Sequence, residues 1–304
     1  MQIESYNYFM NFVVYKTNTL KAAKNRIEEL LKAVSRSDID SPHIVIVPDR
    51  ASLAAERSML AAVGGSFNIQ VFTFNRYAGL IAPETLKPLS GQMAVLEMMK
   101  VIEQNADRLV CFSGAGNTEG FARKIYDVIS LLKYNRISPE KLLCACDDKA
   151  LSLKLKDIAL VYSAFQASVE NRYLDSADKL ETLLNAVGSS EQVKKSVYYI
   201  YDFDGLSVQE EAIVESLVRY SRGVYAACAA GAGYMYSNGF YASLNRIAAK
   251  TGGCREINVR EDGSEVLSAR EKALLFGTVD KPAPLPREKF TIVSAADAEE
   301  EVFF

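Results

Sequence analysis

The stretch His43-Ile-Val-Ile-Val47, closed by Pro48-Asp49-Arg50, decides the fold. Its residues are apolar or β-branched without alternation, as in a strand covered on both faces, and the proline and aspartate end it at strand length. Upstream, Tyr8 to Tyr15 reads as a strand, and Leu20 to Val34 carries apolar residues at helical spacing. Downstream, Leu53 to Val63 reads as a helix closed by Gly64-Gly65, and Ile69 to Phe74 as a third strand. The resulting βαβαβ order predicts an α/β fold with a parallel sheet and helices on its faces.

From about Ser90 to Val187 the strand signal disappears. Met93 to Asn105, Glu119 to Tyr134, Pro139 to Cys146, Leu151 to Glu170 and Ser176 to Ala186 all carry the helical apolar period, with Ser138-Pro139 and Asp175 to Asp178 supplying helix-start chemistry. Strands return at Ser196 to Tyr201 and Gly223 to Ala227, separated by a helix at Gln209 to Tyr220. The expected organisation is one discontinuous α/β domain, residues 1–89 and 188–304, interrupted by an all-helical insertion, residues 90–187. Past a connector with Pro282, Pro284 and Pro286, Phe290 to Val293 reads as a strand. Ala295 to Phe304 then opens a helix with an acidic first turn and stops, so the chain is expected to be an N-terminal fragment of a longer polypeptide.

Composition narrows the chemistry. The 304 residues are 49% hydrophobic and 24% charged, within the range of globular domains. The apolar runs are too short to span a bilayer and Met1 to Phe12 does not resemble a signal peptide, so a cytoplasmic protein is expected. A single histidine, His43, argues against a metalloenzyme or a histidine-assisted hydrolase. Among the cysteines (Cys111, Cys144, Cys146, Cys228, Cys254) only Cys144 and Cys146 lie close together, without the second half of a zinc site. A net charge of -3 gives no general attraction to phosphates, so nucleic-acid binding would need local patches or a partner.

Several segments carry a resemblance. His43 to Arg57, followed by Val71-Phe-Thr-Phe-Asn-Arg-Tyr-Ala78, resembles paired segments of AddB proteins that are similar in turn to motifs Ia and Ib of UvrD-like superfamily 1 helicases. Gly91 to Leu142, Lys156 to Tyr162, Tyr173 to Asp178 and Tyr198 to Glu211 resemble later AddB segments, in the same order. The resemblance implies a RecA-like, P-loop NTPase-type sheet with a large helical insertion. It also implies an AddA-like helicase-nuclease partner, DNA as ligand, and work in double-strand break repair and recombination. In that family a nuclease domain with an iron-sulfur cluster lies in the C-terminal part, which these residues do not contain; the fragment itself is expected to be non-catalytic.

The resemblance also locates a nucleotide site. A P-loop turns backbone N–H groups around phosphates, which requires glycines, a lysine for charge and a Ser or Thr hydroxyl for magnesium. Laid on Lys16 to Ala22, the motif puts Lys21 at the phosphate lysine, but Asn18 and Leu20 at glycine positions and Ala22 at the hydroxyl. The second motif falls on Tyr201-Asp202-Phe203-Asp204, where the carboxylates alternate instead of adjoining, with Gln209 following. Lys21, Asp202 and Gln209 thus read as a vestigial site holding neither ATP nor magnesium, with a weak divergent ATPase or a purely structural docking domain as the alternatives. Asp202 and Asp204 read first as a strand-end turn and helix cap. The Gly/Ala-rich Tyr225 to Tyr236 reads as an ordinary loop.

For DNA, the candidates are Arg50, Ser52, Thr73, Asn75, Arg76 and Tyr77, expected in loops at the C-terminal ends of parallel strands. Arginine and asparagine could hold phosphate oxygens and Tyr77 could stack on a base. The competing expectation is that Arg50 and Arg76 pair with Glu56 or other acids. Lys133, Tyr134 and Arg136 form a second basic-aromatic group, read as a solvated helix end.

Overall fold

The computed structural model describes residues 11–65, 67–82, 86–114, 118–144, 148–230 and 238–259. The expected strand start at Tyr8, the segments after residue 259, Cys146 and residues 231–236 of the expected Gly/Ala-rich loop fall outside these residues; the start of that loop, Tyr225 to Ala229, is strand instead.

Six strands form one parallel sheet in the order β3-β2-β6-β7-β1-β8. They are β1 (Phe12–Thr17), β2 (His43–Ile46), β3 (Ile69–Phe72), β6 (Val197–Tyr201), β7 (Gly223–Ala229) and β8 (Arg255–Val259). A two-residue pairing of β4 (Lys87–Pro88) with β5 (Tyr173–Leu174) stands apart. This is the RecA-like α/β architecture, with one strand, β7, between β1 and β6.

The inner strands of the sheet are buried on both faces, and their residues sort by parity. Phe12, Val14, Ile44, Ile46, Tyr198, Ile200, Val224 and Ala226 point into one core. Val13, Tyr15, Val45, Val47, Tyr199, Tyr201 and Ala227 point into the other. Helices α1 (Leu20–Ser37) and α2 (Ser52–Val63) cover the second core; α3 (Phe74–Ile81), α8 (Ser176–Val187), α10 (Val208–Tyr220) and α11 (Asn238–Thr251) cover the first. The unbroken apolar runs are thus double-faced strands.

The insertion has its own core. Leu89, Ala94, Met98, Ile125, Ile129, Leu142, Tyr162 and Phe165 are buried together among α4 (Gly91–Gln104), α5 (Glu119–Tyr134), α6 (Pro139–Leu143) and α7 (Lys149–Val169). Asp157 on α7 is 2% exposed and accepts from the amides of Val110, Cys111 and Phe112, which fixes the connection between α4 and α5. By contrast Leu180, Leu183 and Val187 of α8 bury themselves in the sheet's core, against α3 and α10.

Insertion and sheet meet at a buried charge group. The Lys133 ammonium lies 2.6 Å from both Asp175 and Asp178, with its side chain 8% exposed. The expected solvated helix end is therefore overturned for Lys133: Asp175 is the N-cap of α8, and the lysine reaches the pair from the last turn of α5. Arg136 keeps an exposed pair with Glu181 at 2.9 Å. Elsewhere the expectations need small additions: α3, α9 (Glu191–Lys195), α11, β8 and the short β4 and β5 were not read from the sequence as elements, and β5 puts two strand residues into the insertion expected to be all-helical. Among the described residues no helix is long and apolar enough to cross a membrane.

Candidate functional site

Parallel sheets bind ligands outside the carboxyl ends of their strands, where neighbouring strands send their helices to opposite faces. Among the described residues this sheet has two such points. From β1 the chain enters α1 on one face, while the neighbouring β7 is followed by α11 on the other. From β2 it enters α2, while both neighbours, β3 and β6, lead to α3 and α10 on the opposite face.

At the first point the connection is two residues long. β1 ends at Thr17 and α1 begins at Leu20. Thr19 caps the helix: its hydroxyl accepts from the Ala22 amide at 2.9 Å and its carbonyl from the Ala23 amide. The Thr17 hydroxyl is turned inward, donating to the Thr19 and Cys228 carbonyls. Ala22 is fully buried, Leu20 is 49% exposed and Lys21 is exposed on the first helical turn.

At the second point a cleft of about 260 Å³ opens, lined by Val47, Asp49, Arg50, Thr73, Phe74, Asn75, by Phe203 to Gly205 from the loop after β6 and by Glu210 from the first turn of α10. Three of the six predicted DNA residues, Arg50, Thr73 and Asn75, line it. Arg50 sits on a short turn between β2 and α2. Both of its terminal nitrogens donate to the Asp202 carbonyl, at 3.0 and 2.7 Å, and one also reaches Asp204 at 3.2 Å. Thr73 is the N-cap of α3 and accepts from the Arg76 amide. The buried side-chain oxygen of Asn75 has no hydrogen-bond partner among the described residues.

Ser52, Arg76 and Glu56 form a second group beside the first. Arg76 donates to the Ser52 hydroxyl at 3.1 Å and to Glu56 at 2.8 Å, and its guanidinium lies 5.8 Å from the centre of the Phe72 ring. Two expectations change here. Asn75, Arg76 and Tyr77 lie on α3 and not in a loop, because β3 passes through the Thr73 cap straight into that helix, and Ser52 is the first residue of α2. Tyr77 is 0% exposed and its hydroxyl bonds to that of Tyr198, so it presents no face to a base. Burial, then the neighbouring Tyr198, pushes the Tyr77 phenol far up, while burial holds Tyr198 up to about 12.

Of the expected trio, Gln209 is engaged on α8. Asp202 takes a left-handed turn (φ 67°) at the end of β6, and the charge that reaches it from α1 is that of Lys24. Burial and Asp204 raise its carboxyl from the ordinary range, against Arg50 and Lys24. Gln209 faces away from the cleft, 3% exposed, and donates to the Ala177 carbonyl and Glu181 of α8. The expected cap by Asp202 or Asp204 is supplied instead by Ser207, in a reciprocal box with Glu210. Burial raises the Glu210 carboxyl, and Asp49 adds to the rise against the Ser207 bonds.

One contact was invisible in the sequence. A Cβ on Gly239, in the first turn of α11, would lie 2.6 Å from the Asp204 carbonyl oxygen, so only glycine lets this helix start against the cleft loop. The signal available was an isolated Asn-Gly pair with nothing to give it a partner.

The fold and the cleft define a RecA-like α/β domain with a helical insertion and a polar crevice at its strand ends. The family described as "ADDB, N-terminal" matches residues 21–257, and the chain belongs to that family. It is 30% identical over 208 residues to the B subunit of an ATP-dependent helicase/deoxyribonuclease from Clostridium botulinum, covering 66% of this chain and 17% of that protein. A protein of the same description from Staphylococcus saprophyticus is 27% identical over 225 residues, covering 71% of this chain and 19% of the relative. The chain thus spans less than a fifth of the length of the curated relatives it matches.

Proposed function

We propose that this chain is the non-motor, DNA-handling module of an AddB-type subunit. It works beside an AddA-like helicase-nuclease subunit in double-strand break repair and recombination. The observation that carries this reading is the two-residue connection between Thr17 and Leu20. A phosphate cradle needs several inward amides on a glycine-rich loop and a hydroxyl for magnesium. Here the Thr19 hydroxyl already occupies the Ala22 amide, and Leu20 and Ala22 supply bulk and methyl where bare backbone and hydroxyl are required. The residues at this point do not fit ATP and magnesium, and no catalytic step is assigned to them.

Single-stranded DNA is the ligand of the cleft between β2, β3 and β6. Arg50 holds a backbone phosphate there, with Thr73 and Asn75 beside it, and Arg76 with Ser52 holds the next one at the cleft's side. The cleft lies at the switch point where such sheets bind ligands, and its arginines are half exposed. The test is the anisotropy of a fluorescent oligothymidine titrated with the protein at several salt concentrations. Arg50→Ala and Arg76→Ala should each weaken binding by about ten-fold, the loss of one charge-assisted contact, and flatten the slope of log K against log salt by roughly 0.7. Unchanged affinity and slope in both variants would remove DNA from the cleft.

A further inference from the structure

We infer that the cavity between the insertion and the sheet is a binding site for a small organic cation, an alkylammonium held by Gln209, Asp178 and Glu181. The inference stands independently of the DNA reading.

The cavity, of about 220 Å³, opens where α5, its exit turn and α7 meet α8 and α10. One water needs roughly 10–15 Å³ of such space, so a larger guest fits. Its wall holds an unmet acceptor. The Gln209 amide nitrogen donates to the Ala177 carbonyl and to Glu181, both of them acceptors, which fixes the orientation of the amide. The Gln209 oxygen is left buried, and among the described residues no donor reaches it. An unmet buried acceptor costs free energy, so a guest with N–H groups is favoured. The charges also call for a cation. In the ion pairs around the cavity Asp175, Asp178 and Glu181 share Lys133 and Arg136, so the carboxylates are in excess. Burial, then Asp175, raises the Asp178 carboxyl against Lys133. An anion would find the helix ends taken: α6, α8 and α10 start beside the cavity, but Ser138, Asp175 and Ser207 already cap them. A bare metal ion would lack ligands, because no group of three metal-holding side chains stands together among the described residues. Ile137, Tyr162 and Ala177 complete the wall with surface for an alkyl stem. Bound there, the cation bridges insertion and sheet.

Calorimetric titration with butylammonium tests this. Tetramethylammonium, which carries the charge without N–H donors, and potassium at matched ionic strength are the controls. Saturable binding of butylammonium, absent with both controls, is expected, with slowed hydrogen exchange at residues 136–138 and 176–178. Asp178→Asn leaves Lys133 balanced by Asp175, so it should unfold no earlier than the unaltered protein. It should bind butylammonium about ten-fold more weakly, the loss of one charge-assisted contact. Glu181→Gln, on the exposed rim, should weaken binding about two- to five-fold. Glu119→Gln removes the same charge at the opposite end of α5 and should leave affinity unaltered. Tighter binding of a capped lysine amide than of butylammonium would assign the guest to a protein side chain, weaker binding to a free amine, and either supports the site. No binding, an equal response to tetramethylammonium, or full affinity in Asp178→Asn overturns it. Should that variant fail to fold, full affinity in Glu181→Gln overturns it instead.

Discussion

The two switch points at the carboxyl ends of this sheet are equivalent in topology and differ in their connections. At β1 the strand gives way to a helix after Asn18 and Thr19, whereas at β2 and β6 the chain continues through Val47–Ala51 and Asp202–Ser207 before α2 and α10 begin. Strand order alone permits a ligand at both. What separates them is the length and chemistry of the connection: a capped two-residue turn consumes its own amides, and two longer loops on paired strands leave a crevice with charged rims.

The comparison can be broken most severely through the frame around the open end. Lys133→Ala would strand Asp175, 3% exposed, beside Asp178 at the start of α8, which packs against α3 and α10. Loss of one partner of a buried pair costs about 3–5 kcal/mol. Hydrogen exchange should quicken in α8 and α3 and hold in α1; equal loosening of α1 would mean the two ends share one frame. Burial opposes the charge on Lys133, but Asp175 and Asp178 outweigh it and raise its pKa. A raised lysine pKa stabilises the fold below the ordinary lysine range. That contribution should therefore persist through neutral pH and disappear as pH climbs beyond about 10.4, visible in wild-type unfolding curves and missing in Lys133→Met.

A smaller effect sharpens the comparison from the closed end. Thr19→Ala removes the cap of α1 and should cost about 1 kcal/mol in denaturant unfolding, with DNA affinity unchanged. A gain of nucleotide binding in this variant would mean the cap, and not Leu20 and Ala22, keeps the phosphate position shut.

Much of the fold could be read from local pattern. The doubly buried strands announced themselves as unbroken apolar runs, and Glu119–Tyr134 carried a helical period that the structure reproduces residue for residue. α3 was missed because its eight residues follow β3 after a single cap, and Phe74 served both readings. α8 carried only a helical period, which does not say whose core it enters; Leu180, Leu183 and Val187 chose the sheet. At the site, the positions of Arg50 and Thr73 were legible as strand ends, whereas Asn75 lies on α3. The burial of Tyr77 was not legible, because its partner Tyr198 is 121 residues away. The acids that hold Arg50 and Arg76 were only half visible: Glu56 by proximity on the next helix, Asp204 only through the pairing of β2 with β6.

The most direct test of the division between the two ends is a single hydrogen-exchange footprint of the protein with oligothymidine and magnesium-ATP both present. Slowed exchange at Asp49–Ser52 and Thr73–Arg76, with Asn18–Ala22 unchanged, is the result expected. Slowed exchange at Asn18–Ala22, lost in Lys21→Ala, would contradict it.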